Sequence, residues 1–82
     1  MNLIELKEKI LNVNFDDDQA FQDIIYLGMN LLNLNETYLA IRFGCPVDSI
    51  TRWLNGYNSP HPAMRKHVYN VFLDKIIIKE KE

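Results

Sequence analysis

Apolar residues recur at helical spacing in five stretches of this chain, separated by polar or glycine-bearing breaks. Leu3, Leu6, Ile10 and Leu11, with the Lys7 stem among them, line one face of a first helix over about 3–12, which Asn12 and Asn14 end. The run Asp16-Asp17-Asp18-Gln19 reads as the next helix start. Asp16 supplies the cap, Gln19 reaches back as in a capping box, and the carboxylates suit the positive end of the helix dipole. Ala20, Phe21, Ile24, Ile25, Leu27, Leu31 and Leu32 carry this second helix from Asp17 to about Leu32, with Gly28 inside it. A mid-helix glycine costs about 1 kcal/mol relative to alanine, so a close neighbour is the expected reason for it. Asn33-Leu34-Asn35 breaks the pattern, and Asn35 caps a third helix that runs to Phe43. A fourth spans about Val47 to Asn55. Gly56-Tyr57-Asn58-Ser59-Pro60 has loop chemistry, and Pro60 and Pro62 suit the start of a fifth helix, where a missing N–H costs nothing. Met64, Val68, Val71 and Phe72 form its buried stripe, continued by Lys75-Ile76. The segment Ile76-Ile77-Ile78 either finishes that helix or pairs as a short strand. The expectation is a single all-α domain over residues 1–82.

The third and fourth helices form the most constrained part of the pattern. Leu39, Ala40 and Phe43 share one face, since spacings of three and four bring side chains together. Gly44 can take the left-handed conformation that ends a helix without a Cβ clash. Cys45 is small and apolar enough to sit beneath the turn, and Ile50 and Trp53 face back from the next helix. Ala40 lets the two helices approach closely. This is the arrangement of a helix-turn-helix over about 36–55.

At Leu39-Ala40, Phe43-Gly44, Ile50-Thr51-Arg52-Trp53, Gly56 and Pro60 the chain resembles the Cro and phage-repressor class of helix-turn-helix proteins, the XRE family. The resemblance spans roughly Ile24 to Phe72. It implies a compact five-helix, lambda-repressor-like domain with an extra N-terminal helix, acting as a sequence-specific duplex-DNA-binding transcriptional regulator of bacterial or phage type.

With Ile50, Trp53 and Leu54 inward, helix geometry turns Asp48, Arg52 and Asn55 outward, with Thr51 and Val47 on the flanks. A recognition helix offers its N-terminal part to the major groove, which adds Ser49 to the set with reach. Arg52 can donate twice to guanine, Asp48 can accept from the cytosine amino group, and Val47 or the Thr51 methyl can touch a thymine methyl. Alternatively, Asp48 and Arg52, four residues apart, simply pair on the surface. The resemblance places phosphate contacts at Asn35 and the start of the third helix, and at Arg42, Tyr57, Asn58, His61, Arg65 and Lys66. Two residues depart from the family pattern. Glu36 stands where relatives commonly carry glutamine near a phosphate, and Pro46 occupies the usual serine or threonine cap of the recognition helix.

Charge modifies this picture. The formal net charge is -2, an awkward value for a partner of a polyanion. Its distribution is uneven: residues 1–35 carry two bases against six acids, residues 36–67 carry four against two, and the remainder is balanced. Screening confines surface fields to about 8 Å at physiological salt, so the local excess matters more than the sum. The acidic first third nonetheless keeps a rival reading open, in which the same fold is an antitoxin-like or adaptor module that binds another protein.

Other chemistry finds no pattern. His61 and His67 have only Cys45 to join them, which is no zinc spacing, and neither a phosphate-cradling glycine loop nor a nucleophile-base pair is suggested. No enzyme activity, metal or cofactor is expected. The single cysteine excludes an internal disulfide, and the N-terminus reads as neither a signal peptide nor a membrane span, so a cytoplasmic protein is expected. Phe72, Ile76, Ile77 and Ile78 either form a homodimer surface or bury against the first helix.

Overall fold

The computed structural model describes residues 2–81, and five α-helices account for its regular structure. They are α1 (Leu3–Leu11), α2 (Asp18–Leu31), α3 (Glu36–Phe43), α4 (Val47–Leu54) and α5 (Pro62–Glu80). No strand occurs among the described residues, and Ile76-Ile77-Ile78 completes α5.

Each helix end follows from local chemistry. Asn2 accepts from the Glu5 N–H at 2.9 Å to start α1, and Asn12 closes it by donating its side-chain amide to the Glu8 carbonyl at 2.8 Å. The α2 cap is Asp17, which accepts from the Ala20 N–H at 3.0 Å, and not Asp16. The reason is the preceding turn: Asn14 takes the Asp16 N–H at 2.9 Å, which leaves Asp16 outside the helix. Gln19 does not reach back either, but donates along the helix to Asp23 at 3.0 Å. After α2, Asn33 takes a positive φ of 56° while the Leu34 N–H bonds to the Met29 carbonyl. Asn35 caps α3 through the Tyr38 N–H at 2.7 Å.

α3 ends where Gly44 adopts φ 68°, with the Cys45 N–H returning to the Ala40 carbonyl at 3.0 Å. α4 begins directly after Pro46, which offers no side-chain cap. It ends in a second left-handed glycine, Gly56, whose φ is 74°, with the Tyr57 N–H on the Arg52 carbonyl.

The helices enclose one core. Leu6 and Ile10 of α1, Phe21, Ile24 and Ile25 of α2, Leu39 and Phe43 of α3, Ile50 and Trp53 of α4, and Val68, Tyr69, Phe72 and Ile76 of α5 are all buried. The radius of gyration, 11.7 Å, is the value a compact domain of this length should have. Phe21 lies at its centre, edge-on to Trp53 at 5.8 Å and tilted against Tyr69 at 6.0 Å, so one α2 aromatic joins α4 to α5. Gly28 is explained by Phe72: a Cβ there would meet the phenyl ring at 2.6 Å. Burial also settles the fate of Phe72 and Ile76, both 0% exposed. They are core residues and cannot form a dimer surface, whereas Ile77 and Ile78 remain exposed. Leu11 does not join the α1 core face, because the α1 contacts centre on Leu6 and Ile10 and leave it in solvent.

Candidate functional site

α4 divides sharply into two faces. Ile50 and Trp53 anchor it inward, with Leu54 half-buried beside them. Val47, Asp48, Thr51, Arg52 and Asn55 are exposed on the other side, and Ser49 is half-buried at its edge. No other element covers the outer face among the described residues.

Two hydrogen bonds fix α4 in place. The Thr51 hydroxyl donates to Glu36 Oε2 at 3.0 Å, joining the middle of α4 to the first residue of α3. Gln22 of α2 donates its side-chain amide to the Leu54 carbonyl at 2.9 Å, satisfying one of the orphan acceptors at the α4 C-terminus. The same amide lies 3.0–3.2 Å from where a Cβ would sit on Gly56, so a side chain there would press on Gln22, and the positive φ is what favours glycine. Gln22 is invisible to a reading by sequence spacing, because it meets Leu54 across 32 residues.

The Arg52 side chain makes no hydrogen bond or ion pair with any described residue, and Asp48 does not pair with it. Its five N–H donors face solvent in a planar fork. Asn55, though exposed, turns one amide N–H back onto the Thr51 carbonyl at 2.9 Å.

The residues expected at phosphates divide unevenly. Arg42, Tyr57, Asn58, His61 and Lys66 are exposed, and the Asn35 side chain is occupied in capping α3. Arg65 is corrected outright, being only 6% exposed. Its guanidinium donates to the Pro60 carbonyl at 2.9 Å, to the Phe15 carbonyl at 2.6 Å and to the Asp18 carboxylate, and it lies 5.7 Å from the centre of the Phe21 ring. The physical reason is that two loops bring bare carbonyls to the α5 start, and a planar fork of donors satisfies them together.

Two hollows border α4. One is apolar and open, lined by Ala40, Ile41, Gly44, Cys45, Pro46 and Val47, with Ile41 78% exposed beside it. Burial pushes the Cys45 thiol up from its ordinary range, so it acts as a packing residue and not as a ready thiolate. The other hollow is polar and places Asp18 and Gln19 against Gly56, Tyr57, Asn58 and Ser59. The α2 start therefore brings a carboxylate to the loop that follows α4.

No group of three or more possible metal ligands occurs among the described residues, and no helix is long and apolar enough to cross a membrane. No family model, curated protein or solved structure matches this chain. The all-α class is what the coordinates define, and any narrower assignment rests on the residues themselves.

Proposed function

We propose that this protein is a lambda-repressor-like helix-turn-helix that binds duplex DNA sequence-specifically, as a small transcriptional regulator, with α4 entering the major groove. The observation that supports this most is Arg52, an unpartnered guanidinium on an uncovered polar helix whose opposite face is locked by Ile50 and Trp53. A helix held in this way offers a fixed fork to the O6 and N7 acceptors of guanine. Arg42, His61 and Lys66 with the Tyr57-Asn58 loop supply the remaining phosphate contacts. With Arg65 withdrawn into the protein, the cationic footprint is small, so affinity per protomer is modest and pairing of protomers raises it. Ile77 and Ile78 at the end of α5 are the surface for such pairing.

Selection of bound duplexes from a random pool tests the reading. The expected result is an enriched motif containing guanine, and a log-log dependence of affinity on salt with a slope of about -2 per protomer. Arg52→Ala is expected to weaken binding to the enriched motif about tenfold to a hundredfold and to remove its guanine preference.

A second reading has its own support. Asp18 beside the 56–59 loop repels phosphate, and Ile41 with Val47 forms an exposed apolar edge, both of which suit a protein partner. In that case no duplex is enriched, and binding to the partner survives salt.

A further inference from the structure

The Thr51 hydroxyl lies 3.0 Å from Glu36 Oε2 and 3.3 Å from the Val47 carbonyl oxygen. A hydroxyl has one proton to give and two lone pairs to receive with. A carboxylate and a carbonyl can only accept, so the Thr51 proton points back into the protein whichever of them takes it. The carboxylate is both nearer and charged, and a charge-assisted hydrogen bond is about twice as strong as a neutral one. What Thr51 presents outward is therefore lone pairs. Without such a neighbour, a threonine on a reading helix pairs with donor or acceptor base edges alike.

We infer that Glu36 is a specificity-determining residue of the α4 surface. By holding the Thr51 proton it makes Thr51 an obligate acceptor, so the base beneath must present an amino group: N4 of cytosine or N6 of adenine. The O6 and N7 of guanine and the O4 of thymine would meet Thr51 lone pair to lone pair. Asp48, one turn earlier on the same exposed face, is likewise an acceptor, and Asn55 has one of its N–H groups turned back onto the Thr51 carbonyl. Arg52 is the complementary element, a side chain that can only donate. The face thus couples an amino-reading strip to a neighbouring guanine-reading fork. This inference deepens the DNA-binding reading and rests on it.

Three proteins, the wild type, Glu36→Gln and Thr51→Val, are compared by selection from one random duplex pool, followed by affinities for duplexes that vary at a single position. Thr51→Val keeps the side-chain shape without the hydroxyl, so the position where it departs from the wild type marks the base under residue 51. At that position the wild type is expected to favour amino-bearing bases about tenfold. Glutamine is close to glutamate in size but can turn its amide N–H to the Thr51 oxygen, which leaves the Thr51 proton held only by the neutral and more distant Val47 carbonyl, from which an acceptor on a base can draw it. Glu36→Gln is therefore expected to reduce that preference to about twofold or less at the same position, with the Arg52-dependent guanine unchanged. Thr51 is exposed and Glu36 half-buried, so thermal melts of the two variants are expected to fall by a few degrees at most, the cost of one hydrogen bond near the surface, with all three proteins folded.

A Glu36→Gln profile identical to the wild type overturns the inference and leaves the DNA-binding reading standing. So does a uniform gain of affinity over all sequences, because the carboxylate would then act on phosphate and not on Thr51. A Thr51→Val profile without any change overturns it too. A wild-type protein that enriches no duplex removes the DNA-binding reading and this inference with it.

Discussion

The outer face of α4 and the first turn of α5 each carry an arginine, and the two guanidinium groups live in opposite circumstances. Arg52 stands in solvent with no described partner. Arg65, thirteen residues on, is bonded to two backbone carbonyls and the Asp18 carboxylate, over the Phe21 ring. The difference lies in the acceptors around them and not in the side chain. The α1–α2 and α4–α5 loops leave carbonyls of Phe15 and Pro60 at the α5 start, and burying those without donors would cost about 1–3 kcal/mol each. α4 has no such loops over its outer face among the described residues, so none of them competes for Arg52. The α5 start is thus a stability element, and the α4 face keeps its polar groups in solvent.

The sharpest way to break this contrast is to remove each arginine in turn. Arg65→Ala is expected to lower unfolding free energy by about 3 kcal/mol in urea titration, and Arg52→Ala by less than about 0.5 kcal/mol. Equal losses would mean that Arg65 is not the staple its partners imply. Arg65→Lys should recover little, because an ammonium cannot reproduce the planar fork that reaches three acceptors.

Gly28→Ala tests the same stable region from within. The added methyl would collide with the Phe72 ring, and even after the gain in helix propensity the net loss should be about 1–2 kcal/mol. A neutral result would show that the α2–α5 contact yields.

Tyr69 offers a smaller effect of opposite sign. Its hydroxyl is the one buried side-chain atom without a hydrogen-bond partner among the described residues. Tyr69→Phe is accordingly expected to stabilise the fold by about 1 kcal/mol. Burial, countered in part by Arg65 and reinforced by Asp17, pushes the phenol up to about 12. A raised value in the folded state means that this contribution is complete below pH 10 and is lost as pH rises from 10 towards 12, where the unfolded chain ionises first. Urea titrations across that range should show the decline in the wild type and a shallower one in Tyr69→Phe.

The least effect is expected from Lys66→Ala, the exposed residue next to the buried arginine. Stability should stay within about 0.5 kcal/mol. Binding to all duplexes should weaken alike by a few-fold, with the salt slope reduced by about 1.

Much of the architecture was legible in the chain because its signals are local. Asn35, Gly44, Gly56 and Pro62 each act on backbone within a few residues, and the α3–α4 inner stripe of Leu39, Ala40, Phe43, Ile50 and Trp53 follows from helical periodicity alone. The α2 cap lies one residue beyond the one the acidic run predicts, because Asn14 captures the Asp16 N–H, a competition that a capping pattern does not encode. Phe72 and Ile76 carried two compatible meanings, and only the approach of α1 and α2 selects the interior one. Within the site, the exposed set on α4 came through because it is the complement of a buried stripe. Arg65 did not, since its acceptors are backbone atoms of residues remote from it in sequence, one of them 50 positions away. The Glu36–Thr51 bond was half visible: the unusual acid stood out, but what it grips depends on how two helices cross.

α4 is tied down twice, by α3 near its middle through Glu36 and by α2 at its end through Gln22. Those two ties come from different directions, so the short rod can neither roll about its own axis nor swing away from its neighbours without losing one of them. A partner that fits imperfectly will find little give on this side, and must itself bend or shift register to seat. On the DNA-binding reading proposed above, selectivity would then extend beyond the atoms that touch, and sequences flanking the contacted bases would be weighed by their stiffness.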